Sequence, residues 1–102
     1  MSIKKQVLKS NKCKVSFKID AEAAKDFASA SLVGDFNNWD PSKEVMKKLK
    51  KDGSFSIQKT LEVGKEYQFK YVLDGNQWTN DPEADKYIET EYADSQNSVV
   101  VL

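Results

Sequence analysis

The sequence contains no histidine and no arginine, and its only cysteine is Cys13. Without histidine, the chain lacks the imidazole that serves many enzymes as a general base. Without arginine, it lacks the side chain that binds phosphate and carboxylate groups bidentately. A single cysteine forms neither an internal disulfide nor a cysteine metal cluster, and its place in a predicted core strand indicates a structural thiol. These absences argue against catalysis and against a metal centre, and we expect no cofactor.

Long hydrophobic runs are also missing. No apolar segment approaches the roughly 18–20 residues that span a bilayer, so no membrane association is expected. The first residues are basic but no apolar h-region follows them, which argues against a secretory signal. With 39% hydrophobic and 31% charged residues, the composition is typical of a soluble globular domain. A cytoplasmic location is therefore the default expectation.

Neither sign of charge is in excess, since sixteen lysines balance sixteen acidic residues. A neutral chain is not typical of a nucleic-acid binder. The two halves differ, however: residues 1–51 contain 12 lysines and 6 acids, whereas residues 52–102 contain 4 lysines and 10 acids. We interpret this asymmetry as neutralisation between neighbouring strands.

Short segments that alternate between apolar and polar residues recur along the chain, separated by turn signals. The predicted strands are residues 13–19, 29–34, 46–50, 54–61, 66–73 and 98–102, with Ile3 to Leu8 as an edge strand or arm. Residues 20–27 predict at most one helical turn, with Asp20 as a candidate N-cap. The sequence therefore predicts an all-β fold, an immunoglobulin-like antiparallel β-sandwich of about seven strands. Residues 1–12 form the arm or edge strand, and residues 13–102 form a single domain.

The acidic residues Asp81, Glu83 and Asp85 are the candidates for an acid/base pair or a calcium site. A glycoside-hydrolase pair needs a cleft, which a domain of this size rarely encloses. The segment also lacks the glycine-bearing loop of an EF-hand. We interpret it as a solvated acidic loop and assign no catalytic residue and no metal ligand.

Two tryptophans directly follow turn signals, Trp39 in Asn37-Asn38-Trp39 and Trp78 after Asp74-Gly75. The apolar C–H face of a glucose ring can lie flat on an indole, and amide or ammonium groups can bind its hydroxyls. Lys70, on the outward face of its strand, and Asn97, before the last strand, are candidates for the second task. The alternative is that one tryptophan belongs to the sandwich core, as in many immunoglobulin-like folds.

These residues resemble a known family. The segments Gly34 to Trp39, Tyr67 to Pro82, and Asn97 with the valines after it are similar to carbohydrate-binding module family 48. That family includes the glycogen-binding domain of the AMP-activated protein kinase beta subunit and the N-terminal early set domains of isoamylases and branching enzymes. The resemblance covers roughly residues 13–102. It implies an early set immunoglobulin-like sandwich that binds α-1,4-linked glucan, as glycogen, starch or maltooligosaccharide.

The resemblance also implies which residues contact the sugar. They are Trp39, Trp78, Lys70 and Asn97, together with the loop before Asn97. In that loop, kinase-type domains have a leucine that threads into the sugar helix, and a threonine. Ser95 is the candidate for the threonine hydroxyl, and Tyr92 is the candidate for a role related to that of the leucine.

Two functions therefore stand side by side. The first is a non-catalytic glucan-binding module that acts through tryptophan stacking. The alternative is a protein-interaction module that docks on a separate glucan-processing enzyme or self-associates, through a sandwich face or the lysine-rich residues 47–51. An enzymatic function ranks third.

Overall fold

The computed structural model describes residues 3–90 and 96–102, which form nine strands and one short helix. In chain order these are β1 (Ile3–Val7), β2 (Lys12–Ile19), α1 (Ala21–Ala24), β3 (Ala30–Gly34), β4 (Lys47–Lys48), β5 (Phe55–Glu62), β6 (Glu66–Leu73), β7 (Gln77–Thr79), β8 (Lys86–Glu89) and β9 (Gln96–Val101). The expectation of at most one helical turn is confirmed, although Asp20, at the N-cap position, makes no side-chain capping bond. Within these residues, no helix has the length and apolar character needed to cross a bilayer.

The strands form two antiparallel sheets. The first sheet has the order β1-β2-β5-β4, and the second has the order β3-β6-β9-β8. β7 and β9 lie on the same edge of β6. β9 pairs with the N-terminal half of β6, and β7 pairs with its C-terminal half. The two sheets pack as a sandwich, so the predicted all-β, immunoglobulin-like class is confirmed. The strands beyond the predicted seven are β7 and β8, which are three and four residues long.

The core lies between the sheets and follows from the period-two pattern of β2 and β6. The inward side chains predicted for β2, those of Cys13, Val15, Phe17 and Ile19, are all buried. Phe69 of β6 packs edge-on against Phe17, with ring centroids 5.1 Å apart, and against Tyr71 at 5.7 Å. The Phe17–Phe69 contact joins the two sheets and stabilises the sandwich, whereas the Phe69–Tyr71 contact lies within β6.

The hairpins confirm the turn signals. The predicted strand at residues 46–50 is present as the two-residue β4, which pairs with Ser56 and Phe55 across the Asp52-Gly53 turn. Gly53 has a φ of 79°, which an L residue rarely adopts. The N-terminal segment forms an edge strand, since β1 pairs with β2 over its whole length and Ile3 belongs to the core.

Candidate functional site

The outer face of the second sheet brings together three of the predicted contact residues. Along β6, Gln68, Lys70 and Val72 alternate with the core residues and point away from the core. Trp78 lies directly opposite Val72 on β7. Asn97 lies one residue beyond the Phe69↔Ser98 pair on β9, level with Lys70. We call the surface formed by Gln68, Lys70, Val72, Trp78 and Asn97 the outer face.

The register sets the spacing on the outer face. Since a strand rises roughly 3.3 Å per residue, Trp78 and Asn97 are separated by about 7 Å along the edge of β6. Neighbouring strands lie roughly 4.8 Å apart, so Lys70 is close to both. An indole, an ammonium group and an amide thus lie within the reach of one short ligand.

An apolar layer lies beneath these side chains. Val33, Val72 and Val99 are fully buried, yet they alternate with core residues and face outward. Val33 lies opposite Lys70, Val72 opposite Trp78, and Val99 opposite Gln68. Their burial requires cover from the longer side chains around them. The outer face is therefore a packed platform on an apolar base.

Trp39 is presented by a loop that begins beside Gln68. The Asp35 amide donates to the Gln68 carbonyl (3.0 Å), and the Gln68 amide donates to Asp35 Oδ2 (2.9 Å). The Trp39 amide donates to the Gly34 carbonyl at 3.1 Å. The Trp39 loop therefore lies near the Gln68 end of β6, on the β3 side, whereas Trp78 lies opposite Val72 on the β7 side.

The two asparagines of the loop have different tasks. Asn37 is buried: its Oδ1 accepts from the Gly34 amide (3.0 Å) and its Nδ2 donates to the Leu32 carbonyl (2.9 Å). Its side chain thus bonds to two backbone groups of β3, an amide and a carbonyl, as the backbone of a neighbouring strand would. Asn38 is exposed and has a φ of 58°, and Trp39 follows with a φ of 59°. Two successive left-handed residues turn the chain sharply at Trp39, whose side chain stays partly exposed.

Neither tryptophan belongs to the hydrophobic core. Trp78 is 48% exposed, and Trp39 is half-buried. The alternative of a core tryptophan is therefore wrong, because the space between the sheets is filled by phenylalanine, tyrosine and aliphatic side chains. Trp78 owes its position to the tight turn before β7, in which Asp74 and Gly75 both have positive φ. Asp74 Oδ1 also accepts from the Ala28 and Ser29 amides and fixes this turn against the start of β3.

The expectation of a solvated acidic loop is wrong for Asp81, which is fully buried. Its carboxylate accepts from the Tyr71 hydroxyl (2.6 Å) and from the Glu83 amide (2.7 Å). Burial, followed by the charge and hydrogen bond of Asp81, raises the pKa of the Tyr71 hydroxyl well above its ordinary value of 10.0. Asp81 is thus a structural anchor between β6 and the chain after β7.

A second set of bonds joins that segment to β9. The Asp81 amide donates to Ser98 Oγ (2.9 Å), and the Ser98 amide donates to Asn80 Oδ1 (3.1 Å). Ser98 is the residue after Asn97, so these bonds fix Asn97 relative to Trp78. Nearby, Asp85 forms a 2.6 Å ion pair with Lys5 of β1. Although burial acts to raise it, the pKa of Asp85 is lowered by its hydrogen bonds to Lys5 and to the Val101 amide and by the Lys5 charge.

One contact on the outer face was missed at the level of sequence. Asn97 Nδ2 donates to Gln68 Oε1 at 2.9 Å, and both side chains are half-buried. The alternation of β6 placed Gln68 and Lys70 on one face, but nothing in the sequence indicates which strand lies beside β6.

Two predicted contacts, Tyr92 and Ser95, lie outside the described residues. A groove of about 370 Å³ lies elsewhere, beside α1, and is lined by residues such as Phe27, Tyr71 and Leu73. None of the predicted contact residues lines it. Among residues 3–90 and 96–102, no cluster of carboxylate or cysteine side chains has the arrangement of a metal site.

Comparison with known families gives one match. A family model described as the glycogen recognition site of AMP-activated protein kinase matches residues 12–101. This range begins with the first residue of β2 and ends with the last residue of β9. No curated protein matches the chain. The resemblance inferred from the two tryptophan segments and from Asn97 with the valines after it is confirmed.

Proposed function

Because this chain belongs to the family of glycogen recognition sites of AMP-activated protein kinase, a family of carbohydrate-binding modules, we propose that it binds α-1,4-linked glucan on the outer face. Glycogen, starch and maltooligosaccharides all present this chain. The observation that carries the proposal is the half-exposed indole of Trp78 on the same face as Lys70 and Asn97.

The chemistry of the outer face fits a sugar. Glucose rings have apolar C–H faces and a rim of hydroxyls that both donate and accept hydrogen bonds. Trp78 and Trp39 stack on the ring faces, a contact that contributes roughly 0.5–1.5 kcal/mol beyond area burial. Lys70 donates to hydroxyl oxygens, and the amide of Asn97 both donates and accepts. Ser95 and Tyr92, which precede β9 in the sequence, are further proposed contacts.

The proposed activity is binding without catalysis. Asp81, which is fully buried, accepts from the Tyr71 hydroxyl and the Glu83 amide, and Asp85 is paired with Lys5. Carboxylates held in this way stabilise the fold. We propose that the module acts in the cytoplasm and that its partner is a glucan chain. The alternative partner is a separate glucan-active enzyme.

The test is a calorimetric titration of maltoheptaose into the wild type and Trp78→Ala. Loss of one stacking indole is expected to weaken binding at least about tenfold, since stacking and area burial are lost together. The melting temperature should fall only modestly, because Trp78 lies outside the core between the sheets, although it is one of the side chains around the buried Val72. Val7→Ala, an exposed residue on the edge of the first sheet, is the matched control and should bind as the wild type does.

Two results would contradict the proposal. One is equal affinity of the wild type and Trp78→Ala. The other is no binding of maltoheptaose at millimolar concentration by the wild type, together with co-purification of a glucan-active enzyme. The second result would favour the protein-interaction function.

A further inference from the structure

We propose that Gln68 is a further glucan-reading residue, and that it acts with Asn97 as a single amide pair. The proposal rests on the proposed function, since it assigns a new contact residue to the same face. Its basis is the 2.9 Å hydrogen bond from Asn97 Nδ2 to Gln68 Oε1. The two residues are 29 positions apart in the chain, so only the β6–β9 register brings them together.

The backbone holds Gln68 in a fixed place. It lies directly opposite Val99 on β9, and its peptide group both donates to and accepts from Asp35 on the other edge of β6. The backbone of Gly34 also packs closely against Gln68, since a Cβ added to Gly34 would lie 2.5 Å from the Gln68 carbonyl oxygen. Gln68 is therefore the residue where the Trp39 loop, β6 and β9 meet.

The amide pair keeps hydrogen-bonding capacity for a ligand. The bond uses one hydrogen of Asn97 and one lone pair of Gln68. With respect to residues 3–90 and 96–102, the Gln68 NH₂ group therefore keeps two donors and the Asn97 carbonyl keeps its acceptor sites. Exchange of N and O in both amides reverses these roles but again leaves one donor and one acceptor group. Either arrangement suits neighbouring sugar hydroxyls, one accepting and one donating.

The place of the amide pair on the outer face supports this function. Lys70 lies two residues after Gln68 on β6. Trp78 lies on β7 opposite Val72, which is two residues after Lys70. Both amides are half-buried, so ligand binding removes them from water only in part, and their hydrogen bonds replace those made to water. A glucan on Trp78 and Lys70 would reach the amide pair as it extends toward the Trp39 loop.

The test compares two Gln68 variants with one control, by calorimetric titration of maltoheptaose. Gln68→Met removes both hydrogen-bonding groups. Gln68→Glu keeps an acceptor for Asn97 Nδ2 but has no hydrogen to donate to sugar. Gln58→Met is the matched control, because Gln58 is an exposed mid-strand glutamine on β5 of the first sheet.

The proposal predicts that both Gln68 variants bind about three- to tenfold more weakly and that Gln58→Met binds as the wild type does. In the wild type, the side-chain amide NMR signals of Gln68 and Asn97 should shift together on titration, while that of Gln58 stays in place. Melting temperatures report any loss of folding in the variants.

Three results would overturn the proposal. If Gln68→Glu retains full affinity while Gln68→Met loses it, Gln68 only positions Asn97. If both variants bind as the wild type does while Trp78→Ala does not, the amide pair is not part of the site, although the proposed function stands. If the wild type binds no maltoheptaose, both proposals fail.

Discussion

Trp39 adopts a backbone conformation that L residues avoid. Its φ is 59°, and the φ of the preceding Asn38 is 58°. Asparagine adopts such positive φ values fairly often, whereas tryptophan rarely does. A bulky residue in the left-handed region costs on the order of 1–2 kcal/mol and persists only where the surroundings enforce it. Here the Trp39 amide bonds to the Gly34 carbonyl, and the buried Asn37 anchors the turn. Such strain at a presented aromatic side chain is consistent with a binding role.

A substitution at Asn38 tests this account of the loop. Asn38→Val should lower the free energy of unfolding by roughly 1–2 kcal/mol, because a β-branched residue tolerates positive φ poorly. Asn38→Gly should leave it nearly unchanged. Urea unfolding followed by circular dichroism measures both changes. The control is Asn76→Val, at an exposed turn residue without positive φ, and an equal loss there would argue against the strain.

At the scale of elements, the outer face depends on how β7 and β9 are fixed against the same edge of β6. β7 has only three residues, and a strand so short has little stability of its own. The chain after it is held by the buried Asp81, which accepts from Tyr71 of β6 and whose amide donates to Ser98 of β9. These bonds therefore fix the distance between Trp78 and Asn97.

Removing the Tyr71 hydroxyl should loosen this junction. Tyr71→Phe leaves the Asp81 carboxylate short of a donor, and the unfolding free energy at neutral pH should fall by roughly 1–3 kcal/mol. Glucan affinity should fall as well, although Tyr71 lies on the core side of β6. Tyr67→Phe is the control, because the Tyr67 hydroxyl bonds Glu62 in an exposed place and should matter less.

The difference between wild type and Tyr71→Phe should narrow in alkali. Burial and Asp81 raise the pKa of folded Tyr71 well above 10.0, so the hydroxyl stays neutral in the folded state while it ionises in the unfolded chain. The unfolded state then binds fewer protons, and the stability of the wild type falls as the pH rises above about 10. Tyr71→Phe has no hydroxyl to ionise at this position and therefore lacks this loss of stability. Parallel stability curves for the two proteins between neutral pH and pH 11 would contradict the assignment.

At the scale of the molecule, the charge asymmetry of the sequence has a structural reason. Among residues 3–90 and 96–102, three lysines of the first half pair with acids of the second half: Lys5 with Asp85, Lys12 with Glu62, and Lys18 with Asp52. The first joins the two sheets, and the second joins β2 to β5 within the first sheet. These pairs support the interpretation of neutralisation between neighbours, and exposed pairs of this kind add little stability.

The core strands and the outward position of Lys70 could be predicted because period-two alternation is a local property of the chain. Trp78 could be recognised because Asp74-Gly75 marks a tight turn just before it. The Gln68–Asn97 bond could not be predicted, since strand neighbours depend on topology. The burial of Asp81 was also hidden, because an Asp-Pro segment rich in acids has the composition of a surface loop whatever its partners are.

In the proposed mode of binding, one α-1,4-glucan covers both indoles. Since Trp39 and Trp78 are the only tryptophans, Trp39→Phe and Trp78→Phe each leave one fluorescent reporter. Maltoheptaose should change the emission of both single-tryptophan proteins, with dissociation constants that agree within about threefold, and cellohexaose should change neither. If the emission of Trp78 in Trp39→Phe stays constant while the wild type binds maltoheptaose, stacking of one glucan on both indoles is wrong.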